Sequence, residues 1–99
     1  MNEITEYEYD WGIKARVRQN VNKLFTVDIT GLVNVSKLDG GDGGCLEQLF
    51  CDIAPSQLTI QHYERRNKKR TTKVWYKSID SETVEKVLNL VTYISENIK

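Results

Sequence analysis

The chain has 99 residues, 39% of them hydrophobic, and its 14 cationic side chains balance 14 anionic ones. That suffices for one thin core and argues against a deep active-site cavity. No apolar run approaches the roughly 20 residues of a membrane-spanning helix, and Met1-Asn2-Glu3 lacks the basic start of a secretory leader, so a cytoplasmic protein without membrane association is expected.

From Tyr7 to Val17 the odd positions are apolar or small: Tyr7, Tyr9, Trp11, Ile13, Ala15 and Val17. The even ones are charged except Gly12, so the alternation reads as one half-buried strand whose odd face is core. Phe25, Val27, Ile29, Val33 and Val35 repeat the pattern, interrupted by Gly31, where a bulge or a bend fits. The polar Gln19-Asn20-Val21-Asn22 turns one strand into the other, giving an antiparallel hairpin over about 6–38.

Asp39-Gly40-Gly41-Asp42-Gly43-Gly44 reads as a connecting loop. Two carboxylates are too few for calcium's six to eight oxygen ligands, and no phosphate-binding glycine pattern is present. A short helix over Cys45-Leu46-Glu47-Gln48-Leu49-Phe50-Cys51 must end before Pro55, which places loop and helix at about 39–56. Cys45 and Cys51 fit neither zinc spacing nor a disulfide framework and are expected as reduced thiols, one or both buried, with a local disulfide as the alternative. Asn34-Val35-Ser36 matches a glycosylation sequon, taken as chance without a secretory leader.

A second hairpin spans about 57–79, with Leu58, Ile60 and His62 on one face and Thr72, Val74 and Tyr76 facing them. An odd-numbered loop keeps these apolar positions together, pairing Ile60 with Tyr76 and His62 with Val74. Tyr63 and Trp75 then share the opposite face with Gln61, Lys73 and Lys77. Asp80 or Ser81 caps a final helix over about 81–98, whose Val84, Val87, Leu88, Val91, Ile94 and Ile98 form an apolar stripe. The expected fold is α+β and a single domain: a four-stranded, mainly antiparallel sheet from two hairpins, a short helix in the connecting loop, and the C-terminal helix on one sheet face.

The run Arg65-Arg66-Asn67-Lys68-Lys69-Arg70 concentrates positive charge at the second hairpin's tip. With Lys73, and with Lys14, Arg16 and Arg18 from the first hairpin, it offers a path for a phosphate backbone, beside which Trp75 and Tyr63 can stack on unpaired bases. Charged tips also serve merely to keep a small domain soluble. Glu6, Glu8 and Asp10 make an acidic stripe on the first strand, suited to a basic protein partner or to the basic end of a second copy in a homodimer. His62 is the sole histidine and stands near no nucleophile motif, so neither catalysis nor a cofactor nor a metal is expected. Two functions fit these features: a non-catalytic inhibitor or antidote acting by protein contact, of the phage anti-defence or toxin-immunity type, and a single-stranded nucleic-acid-binding module.

Overall fold

The structure, a computed structural model, describes residues 4–33, 48–64 and 70–97, with side chains except at 33, 62–64, 70 and 71. Five strands form one antiparallel sheet: β1 (Ile4–Glu8), β2 (Lys14–Gln19), β3 (Phe25–Val33), β4 (Leu58–Glu64) and β5 (Arg70–Ile79), in the spatial order β1-β2-β3-β5-β4. The C-terminal helix runs from Ser81 to Asn97. The α+β class and the antiparallel sheet are as expected, but there are five strands rather than four among the described residues. The expected first strand is two strands, separated by a single 3-10 turn at Asp10–Gly12 in which Trp11 and Gly12 take left-handed φ of 68° and 76°. Trp11, expected in the core, is 61% exposed on that turn.

The alternation hides this turn for a geometric reason. Tyr7 pairs with Ala15 and Thr5 with Val17, so odd residues face odd residues across a hairpin with an odd-numbered loop. The parity of inward and outward positions is therefore the same for a hairpin as for one long strand. β2 and β3 pair through Ala15–Ile29 and Val17–Val27, and β5 and β4 extend these rows through Ile29–Val74–Ile60 and Val27–Tyr76–Leu58. Glu64 opposite Arg70 confirms an odd-numbered connection in the second hairpin. The register is two residues away from expectation: Ile60 pairs with Val74 instead of Tyr76, and His62 with Thr72 instead of Val74. A two-residue shift preserves the face of every side chain, and hydrophobic patterning cannot detect it.

Two bulges bend the β3–β5 ladder. Between Ile29–Val74 and Leu32–Thr72 the extra residue lies on β3, where Gly31 has a φ of 84°; between Phe25–Ile79 and Val27–Tyr76 it lies on β5, where Ser78 has a φ of 58°. Bulges with one residue in the left-handed region increase local twist. Gly31 is where the sequence marks the break.

One sheet face is covered in two parts. The C-terminal helix lies over β2, β3 and the 3-10 turn, burying Val84, Val87, Val91 and Ile94 against Ile13, Ala15, Val27 and Ile29. Leu88 is only half-buried, so the centre of the stripe falls on Val87 and Val91 rather than on Leu88. The remaining part is covered by segment 48–57, helical at 48–51 and with a 3-10 turn at Pro55–Gln57 against β5. Phe50 is fully buried there, and its carbonyl accepts a 2.7 Å hydrogen bond from the Tyr76 hydroxyl. Burial pushes the Tyr76 hydroxyl's pKa well up, so the phenol remains a donor. Cys51 is an exposed free thiol; Cys45, the other candidate for burial, and the glycine-rich loop lie outside the described residues. No described helix is long and apolar enough to cross a membrane.

Asp80 is the helix cap. Its Oδ1 accepts the Thr83 N–H at 2.8 Å, and hydrogen bonds from the Thr83 side chain and backbone hold its carboxyl below the usual range. A depressed folded-state pKa contributes stability that is present above the ordinary carboxylate value of about 4 and lost as pH falls through the folded one. Asp80→Ala should therefore lower the urea midpoint at neutral pH and flatten its fall on acidification, whereas Asp80→Asn should retain much of the cap with no pH dependence of its own.

Candidate functional site: the open sheet face and the β1 edge

No described element packs on the second sheet face. Antiparallel sheets commonly leave one face to solvent, and here that face carries Glu6, Glu8, Lys14, Arg16, Arg18, Asp28, Lys73 and Trp75. The register sets them in rows. Glu6 stands opposite Arg16, Arg16 opposite Asp28, Asp28 opposite Trp75, and Glu8 opposite Lys14.

Two of these pairs are ion pairs: Arg16 Nε to Glu6 Oε2 at 3.5 Å and Lys14 Nζ to Glu8 Oε1 at 3.9 Å. Both are solvent-exposed, and such pairs contribute about 0–1 kcal/mol. Their main effect is on the field. The acidic stripe and the first basic cluster lie on adjacent strands and largely neutralise one another. Reversing Glu6 and Glu8 to lysine would set cation against cation at Arg16 and Lys14, so neutral glutamine is the cleaner probe of this surface. Asp10 lies on the 3-10 turn, beyond the strand that carries the two glutamates.

Trp75 is partly buried on the open face, with the Lys73 ammonium 5.3 Å from its ring centroid. A cation above the ring competes with a stacking base. Tyr63 enters the ladder opposite Thr71 and Trp75 opposite Thr59, so the two aromatic positions are four residues apart along β4, about 13 Å at the strand rise. The two positions share one sheet face, as expected, without being neighbours. Arg70 begins β5, while Arg65, Arg66, Lys68 and Lys69 lie outside the described residues.

The sequence reading missed an aromatic margin at the β1 end of the sheet. Tyr7, Trp11 and Tyr93 are exposed, and Tyr9 between them is half-buried, its pKa raised by burial and partly restored by a hydrogen bond with Thr92 of the helix. The signal that could have located it was Asp10-Trp11-Gly12, an acidic-to-glycine turn inside a strand-like alternation. Among the described residues, no group of three or more His, Cys, Asp or Glu side chains could hold a metal ion. No protein-family model matches the chain, and no curated protein or solved structure matches it.

Proposed function

We propose that the protein is a non-catalytic binding protein that acts by contact with another protein, as an inhibitor or antidote of the phage anti-defence or toxin-immunity type. The observation that carries this reading is the open sheet face ending in the β1 edge. It presents interleaved acidic and basic rows around Trp75 and stops at an exposed strand bearing Glu6 and Glu8. A surface of mixed sign suits a protein partner whose charges interdigitate with it, and complementarity of this kind governs specificity and association rate. It suits a phosphate backbone poorly, because Glu6, Glu8 and Asp28 stand in the same rows as Arg16 and Lys14 and would repel phosphates.

Single-stranded nucleic-acid binding is the second reading, favoured by the basic run that joins β4 to β5 between Glu64 and Arg70. The two separate in one experiment: tagged protein is used for capture from cell extract and for titration with single- and double-stranded DNA and RNA over a salt series. The protein reading expects a stoichiometric protein partner, retained when Arg65, Arg66, Lys68, Lys69 and Arg70 are neutralised and lost in Glu6→Gln/Glu8→Gln. The nucleic-acid reading expects binding whose salt slope falls by about 0.7–0.9 per phosphate contact removed with those five charges. Sequence-independent nucleic-acid binding of that kind, with no protein captured, would replace the first reading by the second.

A further inference from the structure

The hydrogen-bond phase of the β1–β2 hairpin fixes which groups of β1 face outward. The Tyr9 N–H donates to the Ile13 carbonyl at 2.8 Å, making these two a hydrogen-bonded pair at the hairpin's end. Antiparallel ladders alternate such pairs with non-hydrogen-bonded ones. Tyr7 and Thr5 therefore turn their backbone groups toward Ala15 and Val17 of β2, whereas Ile4, Glu6 and Glu8 turn theirs to the open side. Among the described residues β1 has no other neighbour in the sheet, and all five of its residues are exposed.

A strand edge with free N–H and C=O groups is a template for another strand, and its side chains decide which strand it takes. Glu6 and Glu8 share one face of β1, and between them Tyr7, 39% exposed, occupies the helix-side face. A second copy of β1 docked antiparallel about Glu6 would set Glu6 against itself, and like charges directly opposite are destabilising. The pattern that does fit already lies on the other side of β1. Lys14-Ala15-Arg16 of β2 is a cation, a small apolar residue and a cation, and places Lys14 against Glu8, Ala15 against Tyr7 and Arg16 against Glu6.

We infer that β1 is an acceptor strand for an extended segment of a partner protein in which two cations flank an apolar residue. The docked segment adds one strand to the sheet, its main chain bonding to Ile4, Glu6 and Glu8, its cations meeting the two glutamates and its apolar residue lying beside Tyr7. This inference rests on the protein-binding reading above and names the site and the partner's chemistry. The acidic side chains disfavour a second β1 docked about Glu6 and admit a basic strand, which is specificity by repulsion as well as attraction.

The test uses the full chain, isotopically labelled for NMR and titrated with a capped peptide of about six residues alternating arginine and valine. Two controls accompany it: the same length alternating glutamate and valine, and the arginine peptide N-methylated on the amides that would face β1. The expected result is shift changes concentrated at Ile4–Tyr9 and slowed amide exchange at Glu6 and Glu8, with binding at least about tenfold weaker for both controls and for Glu6→Gln/Glu8→Gln. Glu8→Pro removes an outward N–H without breaking a bond to β2, so it should abolish docking with the circular dichroism spectrum unchanged. Equal binding of the N-methylated peptide, or no binding of the parent peptide at about millimolar concentration, would overturn the inference. Shift changes centred on Lys73 and Trp75 would overturn strand addition while leaving protein binding intact; the capture experiment decides that broader reading independently.

Discussion

Gly31→Ala is expected to be among the most damaging single-methyl additions to this protein. At a φ of 84° the new side chain is in the left-handed region, and its Cβ would overlap the carbonyl oxygen of Gly12. Both partners are backbone, so no rotamer change relieves the contact. Left-handed strain of about 1–2 kcal/mol and an overpacking cost of about 1–3 kcal/mol together give a loss of about 2–5 kcal/mol. Urea denaturation measures it directly, and a loss below about 1 kcal/mol would show that the β3 bulge and the 3-10 turn separate easily. Gly12→Ala is the matched control: its φ of 76° carries similar backbone strain, but nothing lies within 4 Å of its added Cβ. The difference between the two variants isolates the contact that ties the β1–β2 turn to the middle of the sheet.

Phe50→Ala is expected to cost about 3–5 kcal/mol, the range for emptying a buried aromatic site. Phe50 is fully buried, and its carbonyl is the acceptor for the Tyr76 hydroxyl. The ring and the main-chain acceptor together hold segment 48–57 over the β4–β5 side of the sheet. A small domain has about 5–15 kcal/mol of total stability, so the variant should show a sharply lowered urea midpoint, and Tyr76 should titrate closer to an ordinary phenol if the segment lifts away. A cost below about 1 kcal/mol would mean that the helix alone supports the sheet.

The sequence made some parts of this architecture legible and concealed others for definite reasons. The apolar faces of β2 to β5, the bulge at Gly31 and the C-terminal helix with Asp80 at its start were readable because burial imposes periods of 2 and 3.6 on side-chain polarity. The turn at Asp10–Gly12 was not, since an odd-numbered hairpin loop preserves the alternation on both sides of it. The β4–β5 register was settled only to within two residues for the same reason. For the candidate site, the charged residues were visible but their relations were not. Whether Glu6 and Glu8 oppose Lys14 and Arg16 across a ladder, or lie at the far end of the same strand, depends wholly on the missed turn. Recognition of the edge followed from that geometry, because only a hairpin makes β1 an outer strand.

That β1 is an open edge with Ile4, Glu6 and Glu8 turned outward is open to residue-resolved amide hydrogen exchange on the free protein at low concentration. Tyr7 and Tyr9 should be protected by their bonds to β2, and Glu6 and Glu8, which alternate with them, should exchange at least about tenfold faster, an alternation with the period of the ladder itself. Protection of Glu6 and Glu8 equal to that of Tyr7 and Tyr9 would mean that the edge is already paired or covered in the free chain, and would contradict the account.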